Sequence, residues 1–550
     1  MFGCVFHVRP FWDELNVPKQ KLESRYKELF GTENLTIEDR QQAIKLLLSV
    51  VTQLQNKILN RLKTNNPNAT AKILYRILDD TYTLYTRERE SRERLSTFPM
   101  ADADMEIAYR KNANIERNII DALNLWIENC LLYQEKIHAS YDERSLKKRD
   151  DEFLIDLYIY GYASKSVSLL TFCKKFPERN FFYGIEVTPK GTEPFNILKE
   201  NHVLHFNIAL TGNQRAFNRS VSEYNNVDID DFGKAFINEY GVSFKSFLGL
   251  LYIIMQKELK NGKISHIVWT RSDFIKWING CLNCQISGES FLESFSLTKE
   301  RISRQLLQGN SFIWIMNSNQ YRHELRPFIC LDDNTVFISY AAISQAFLLW
   351  NSYFVNGGMI YSNHPDTLTV AVGKRNELLS EILVSKIREK LRNHYNSEFD
   401  EVDVQYDRIF GRKDYNYGDY DLVFYAKEVN ELFLVEAKFF SDSLNNGGIV
   451  ADYEKMFKTN GYYDHCRKRY DLVLSEPEKL KSFVGITGNV AVHFLFVSSK
   501  PLDVNFVDDD GIVTFPCLSN FDEYIEGKLL SETGDEVVRP THLFNISLYI

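Results

Sequence analysis

From Val17 to about Gln134 apolar residues return every three to four positions, as in Ala43, Leu46, Leu47, Val50, Val51 and Leu54, and the residues between them are polar. That spacing predicts a bundle of long helices. The turn signals Asn65-Asn66-Pro67-Asn68 and Phe98-Pro99 cut it into segments. The mixed-sign run from Arg87 to Arg94 reads as a solvated helix face. From Asp150 to Arg219 helical and strand-like runs alternate, with Phe181 to Val187 and His202 to Leu210 as strands, and the Asn- and Asp-rich stretch Ser220 to Asp231 reads as a linker. Phe232 to Asn356 opens with helices and continues with short strands at Phe312 to Met316, Phe328 to Leu331 and Val336 to Ser339. The last two are joined through Asp332-Asp333-Asn334, residues that tolerate hairpin-turn geometry. Helices followed by a small hairpin are compatible with a winged-helix-like unit, although packing is the better-supported reading of this region. Asn356-Gly357-Gly358 and Ser362-Asn363-His364-Pro365 mark the next boundary.

The pattern therefore predicts a multi-domain α+β chain: an N-terminal helical domain over 1–149, a mixed region and linker over 150–231, a helical region with a small hairpin over 232–356, and a C-terminal α/β domain with an extension over 357–550. In the last of these, Lys374 to Tyr395 forms an amphipathic helix with Leu378, Leu379, Ile382, Leu383, Ile387 and Leu391 on one face. Strands follow at Val402 to Ile409, Tyr420 to Ala426 and Leu432 to Phe440, then a helix over Ile449 to Ser475 and a returning strand over Val490 to Ser498.

Length and composition narrow the class. A chain of 550 residues is too long for one ordinary core, and 44% hydrophobic with 25% charged residues excludes a largely disordered or fibrous protein. A net charge of −9 does not suit a protein that merely coats nucleic acid, so a nucleic-acid partner needs a local basic patch. Eight cysteines are too few for a disulfide framework, and Met1 to Trp12 lacks the pattern of a secretory leader, so the expected setting is cytoplasmic. The apolar run Phe247 to Met255 is far shorter than the ~20 residues a membrane span needs. Cys281 and Cys284 form a lone CxxC, and with His266 and His323 at no ligand spacing they read as buried cysteines rather than a zinc site. Neither a phosphate-binding Gly-x4-Gly-Lys loop nor a Gly-x-Ser-x-Gly elbow occurs.

The chemistry concentrates on one hairpin. If the turn Lys427 to Glu431 is centred between Glu428 and Val429, Asp421 lies opposite Glu436, and opposed residues of an antiparallel pair share a face. Lys438, two residues on, falls on the same face. Two carboxylates beside Leu422, Val423, Phe424, Leu434 and Val435 are costly unless compensated. A divalent cation held by Asp421, Glu436 and the main-chain carbonyl of Ala437 compensates them, and Mg2+ or Mn2+ suits such oxygen ligands. On this reading, removing either carboxylate relieves local repulsion and leaves folding intact. The competing reading is a surface ion pair on an edge hairpin, which stabilises little.

Gly418-Asp419-Tyr420-Asp421-Leu422-Val423-Phe424, followed by Leu432-Phe433-Leu434-Val435-Glu436-Ala437-Lys438, resembles the PD-(D/E)XK, restriction-endonuclease-like nuclease superfamily over about residues 366–500. The resemblance implies an α/β restriction-endonuclease-like core, metal ligands at Asp421 and Glu436, a catalytic lysine at Lys438, and an additional metal ligand at Glu377 on the preceding helix, with Glu381 as runner-up. No Pro precedes Asp421, a departure common in that superfamily. A Glu-x-Lys triplet alone means little, since Glu258-Leu259-Lys260 and Glu526-Gly527-Lys528 also occur here without an Asp-bearing strand. The helix after the site interleaves Lys455, Lys458, Arg467, Lys468 and Arg469 with Tyr453, Tyr462, Tyr463 and Tyr470, and Lys458 is the best candidate there for a phosphate contact.

The implied function is an Mg2+-dependent nuclease acting on DNA, in a setting such as bacterial defence against foreign DNA, with a homo-oligomer or protein partner met through the N-terminal helices. The alternative is a scaffold or regulatory nucleic-acid-binding protein whose nuclease-like core is not catalytic.

Overall fold

A computed structural model describes residues 9–64, 66–95, 103–132, 151–172, 182–199, 230–260, 267–281, 287–300, 302, 322–332, 334–355, 365–413, 417–440, 452, 454–500, 502, 507–508, 510–529 and 538. The chain is a mixed α+β protein that divides into two compact units, one formed by Met1–Lys199, Asn226–Asn351 and Ile360–Asn363, the other by Glu200–Asn225, Ser352–Met359 and His364–Ile550. No described helix is long and apolar enough to cross a membrane.

In the first unit, long helices over Arg40–Thr64, Pro67–Leu95, Ala103–Cys130 and Asp151–Phe172 pack together, burying Ala43, Leu47, Val50, Val51 and Leu54 as the spacing predicts. Pro67 opens its helix at a position where its missing N–H costs nothing, and the Asn66 side chain takes the free N–H groups of Asn68 and Ala69 at 2.9 and 3.3 Å. Phe182–Val187 pairs antiparallel with Leu35–Ile37 and with Phe195–Lys199. The strands expected at His202 to Leu210 and Phe312 to Met316 lie outside the described residues, as do His266 and Cys284.

The rest of this unit runs helices Asp231–Tyr240 and Phe244–Lys260, strand Ile267–Thr270, helices Arg271–Cys281 and Gly288–Phe295, the hairpin Phe328–Asp332 and Thr335–Ile338, and helix Tyr340–Val355, with a sheet ordered 267–270, 335–338, 328–332, 296–297. His323 is fully buried between Tyr75 Oη (2.7 Å) and Asn124 Oδ1 (2.8 Å). Burial and then neighbouring Arg322 push its pKa down to about 3, so it is a neutral structural residue.

The second unit is built on a five-stranded mixed sheet ordered 513–514, 491–498, 431–438, 419–426, 397–405. Its chain order is helix Pro365–His394, strands Ser397–Gln405, Asp419–Ala426 and Glu431–Lys438, helices Tyr462–Ser475 and Pro477–Val484, and strand Ala491–Ser498 lying parallel to 431–438. The long helix packs on the two central strands and buries Leu379, Leu383, Ile387 and Leu391, but Leu378, expected on that face, is 53% exposed. The helix is also longer than its apolar pattern, because its first two turns carry the alternative apolar pair Ala371 and Val372 inward. Tyr470 of the helix after the site donates its hydroxyl to the carbonyls of Leu434 (3.0 Å) and Leu495 (2.6 Å), fixing that helix to the sheet.

Two expected elements have different bounds in the structure. The strand drawn through Val402 to Ile409 stops at Gln405 and gives way to a helical turn, Tyr406–Phe410, closed by Gly411 in the left-handed region at φ 68°. The helix drawn over Ile449 to Ser475 is interrupted: residues 454–457 are helical, the chain turns at Asn460 (φ 58°) and Gly461, and a second helix runs Tyr462–Ser475. A Cβ on Gly461 would fall within 2.6–2.8 Å of the carbonyl oxygens of Met456, Lys458 and Lys455, so the chain folds this tightly only because that residue is glycine.

Candidate functional site

The hairpin register follows from its turn. Glu431 pairs with Ala426 and Val435 with Leu422, and one further step sets Glu436 against Asp421, as the centred turn requires. At that step the ladder changes partner. The Ala437 N–H is taken by Asp421 Oδ2 at 2.6 Å, and the same oxygen accepts from Lys438 Nζ at 3.1 Å. Lys438 Nζ also lies 2.7 Å from Glu436 Oε1. Three residues read from the sequence as one site are therefore brought together.

Glu436, expected as a metal ligand, faces cations of the protein itself in this structure. Its other oxygen, Oε2, accepts from Nη2 of Arg469, and both side chains are almost fully buried at 5% and 4% exposure. Both carboxylate oxygens thus face cations supplied by the protein. Burial opposes a charge on Glu436 and raises its pKa, while Lys438 and Arg469 pull the other way. Burial likewise opposes the charges on Lys438 and Arg469, but the facing carboxylates outweigh it and both stay protonated well above their ordinary range. The expected relief of repulsion on removing Glu436 does not fit this geometry, because its loss would take from the buried Arg469 guanidinium the carboxylate that faces it, with Lys438 left to Asp421.

On the opposite side of Asp421 lies a second group. Carboxylate oxygens of Asp403, Asp419 and Asp421 lie within 4.8 Å of one another, with Asp403 exposed and the other two half-buried. Asp419 shares the face of Asp421 through the two-residue period of the strand. Asp403 comes from the neighbouring strand, where Val402 pairs with Leu422 and Val404 with Tyr420, so that Asp403 is bracketed opposite Asp421. Its backbone is left-handed at φ 53°, a conformation that Asp tolerates better than most residues. Burial, and then the charges of Asp419, Asp421 and Glu381, raise its pKa above the ordinary carboxylate value.

No family model, curated protein or solved structure matches the chain.

The geometry also settles where the remaining candidates sit. Of the two helix carboxylates, both exposed, Glu381 is the one whose charge contributes to raising the Asp403 pKa. Ala437, whose carbonyl is the expected main-chain ligand, donates its N–H to Asp421 Oδ2. Lys458 lies in the turn before the helix, exposed and without a carboxylate partner among the described residues. The other basic residues of that segment are matched internally: Arg467 with Asp471, Asp508 and Asp510, Lys468 with Asp464, and Lys455 with Asp452. Asp403, Asp419 and Arg469 are the site residues that the motif did not name. Asp419 was visible two positions before Asp421, whereas Asp403 and Arg469 depend on register and helix phase.

The residues present fit a hard divalent cation. Three convergent carboxylates, one with its pKa raised by burial and then by like charge, form an oxygen-donor set that could hold Mg2+ or Mn2+.

Proposed function

We propose that this protein is a metal-dependent nuclease that hydrolyses phosphodiester bonds, with DNA as the substrate favoured by its resemblance to the PD-(D/E)XK superfamily. The observation that carries the reading is Asp421, whose carboxylate belongs at once to the three-aspartate group and to the pair with Lys438. Support also comes from the order helix, three strands, helix, parallel strand around it.

Asp403, Asp419 and Asp421 would hold the cation, and Glu381 adds negative potential from the helix. A bound divalent cation supplies Lewis acidity toward a phosphoryl oxygen and a lowered pKa for water. Lys438, kept charged by Glu436 and Asp421, is suited to stabilising negative charge that develops on the phosphate, and unsuited to removing a proton near neutral pH. Glu436 then orients the ammonium of Lys438 rather than ligating metal. Exposed Lys458 remains the phosphate contact proposed from the sequence.

The first unit has the helix and strand order of a winged helix, yet the helix that would enter a groove, Gly288–Phe295, exposes Glu289, Ser290 and Glu293. Such a face does not favour phosphate contact through that helix, and the proposal puts DNA contact on the second unit. Cytoplasmic location, oligomer formation through the N-terminal helices and a role in defence against foreign DNA belong to the same proposal.

The test is incubation of the full chain with linear DNA, circular DNA and RNA, with Mg2+, Mn2+ or EDTA. Metal-dependent cleavage that Asp421→Asn abolishes is expected. Absence of cleavage of all three substrates under both metals would overturn the reading and leave the scaffold alternative.

A further inference from the structure

We infer that Arg469 is a positioning residue for the proposed reaction: by gripping Glu436 and the chain ahead of Asp419 together, it fixes where the Lys438 ammonium sits. The inference rests on the nuclease reading and extends it to a residue outside the motif.

The guanidinium makes contacts that no single surface ion pair would need. Nη2 donates to Glu436 Oε2, and Nη1 donates to the main-chain carbonyl of Tyr417, at the entry to the Asp421 strand. The group lies 5.7 Å from the ring centroid of Tyr420, whose hydroxyl in turn donates to the Arg469 carbonyl at 2.9 Å. The backbone allows this approach at Gly418, which has φ +77°, and where an added Cβ would come 3.2 Å from Nη1. Arg469 therefore ties together the helix, the strand bearing Glu436 and the chain that leads into Asp419 and Asp421.

The consequence runs through Glu436. With Oε2 held by Arg469, Oε1 is left facing Lys438 at 2.7 Å, and the ammonium is in turn placed 3.1 Å from Asp421 Oδ2. A planar fork can hold a carboxylate and a carbonyl at once, which a lysine's single ammonium does less well. Without Arg469, Glu436 is free to rotate and Lys438 is no longer confined between two fixed oxygens. Because Arg469 contributes positive charge beside an acidic group, its removal favours cation binding while disfavouring the reaction. Damage to the fold alone would lower both.

The experiment compares the full-length wild-type protein with Arg469→Gln and Arg469→Lys by single-turnover cleavage of a labelled DNA duplex, by calorimetric Mn2+ titration without DNA, and by thermal melting. For Arg469→Gln the expected result is a turnover rate lower by ~10- to 100-fold, the range seen when groups supporting a metal site are removed, with KM little changed and Mn2+ binding equal to or tighter than wild type. Arg469→Lys keeps the charge that the buried Glu436 needs, covers the case in which the Gln variant does not fold, and should fall between the two in rate. An unchanged rate in folded Arg469→Gln overturns the inference. So does a loss of rate and Mn2+ affinity in step with the unfolded fraction, or, where only Arg469→Lys folds, a wild-type rate in that variant. A wild-type arm that cleaves nothing refutes the nuclease reading itself and this inference with it, whereas failure confined to the variants refutes the role of Arg469 only.

Discussion

Removing a carboxylate from this site should have opposite effects on stability depending on which carboxylate is removed. Glu436 sits at 5% exposure facing Arg469, itself 4% exposed, and Lys438, so Glu436→Gln withdraws the carboxylate set against the buried guanidinium and leaves Lys438 with Asp421 as its carboxylate partner. Breaking a buried pair by neutralising one member costs ~3–5 kcal/mol, and the lower end applies here because the amide oxygen still accepts a hydrogen bond. At ~2–4 °C per kcal/mol for a unit of this size, the melting transition of the second unit should fall by roughly 6–12 °C. Asp403 is the reverse case. Burial and the charges of Asp419, Asp421 and Glu381 raise its folded-state pKa, so its contribution is most favourable below the ordinary Asp value and is lost as pH rises through the raised value. At neutral pH, without metal, the charged form works against folding, and Asp403→Asn should raise the melting temperature. The gain should shrink as pH is lowered towards ~4, where the unfolded-state group takes up its proton. Asn also tolerates the left-handed backbone at this position, so the substitution tests charge without adding strain. Scanning calorimetry in EDTA and in MnCl2 at several pH values reads both effects, and Mn2+ should stabilise the wild type by RT ln(1 + [Mn2+]/Kd) but stabilise Asp403→Asn much less. If Asp403→Asn melts lower than wild type in EDTA at pH 7, or Glu436→Gln melts unchanged, the division of the site into an unpaired acidic side and a compensated side is wrong.

Other consequences are more local. Asp421→Asn should weaken Mn2+ binding and abolish metal-stimulated cleavage, since it removes a carboxylate shared by the aspartate group and Lys438; calorimetric titration and a cleavage assay check the two effects separately. Lys438→Ala should lower the turnover rate by orders of magnitude with substrate affinity little changed, whereas Lys438→Arg should retain measurable activity, because the native ammonium is held charged and acts through its field. Gly418→Ala should destabilise the second unit by about 1 kcal/mol or more in denaturant titration, as φ +77° strains any side chain and the new methyl presses on Arg469. In the first unit His323 has a pKa lowered to about 3 by burial and Arg322, so it should cost stability as pH falls from ~6.5 towards 3, and His323→Gln should flatten that acid limb in thermal melts.

What was legible in the sequence was whatever follows from period and symmetry. The centre of the 427–431 turn placed Asp421 opposite Glu436, and the 3.6-residue spacing placed Leu379, Leu383, Ile387 and Leu391 on the buried side of their helix, because both depend only on local geometry. The same rule misplaced Leu378: a stripe drawn from apolar residues alone does not tell which flank of the helix the sheet covers. The break at Asn460-Gly461 was written in the residues, but its necessity comes from three carbonyls crowding the glycine, and those belong to a turn whose path was not yet known.

The site shows where such reasoning stops and why. Asp421, Glu436 and Lys438 lie on one regular hairpin, so counting along two strands was enough to bring them together. What each of them does is decided by groups from elsewhere in the fold. Asp403 enters on a residue whose backbone leaves the regular strand conformation, so no alternation pattern could aim it, and it turns Asp421 towards a group of aspartates. Arg469 enters from a helix whose start was displaced by the break at Gly461, and it turns Glu436 from a ligand candidate into a partner of two cations. A carboxylate's chemistry is set by the charges within about 4–6 Å of it, and across strands and helices those neighbours are a property of register and packing rather than of spacing in the chain. On the proposed reading the two ends of one motif do different work, with Asp421 on the metal side and Glu436 on the lysine side, and the opposite stability responses of Asp403→Asn and Glu436→Gln follow from the charges around each.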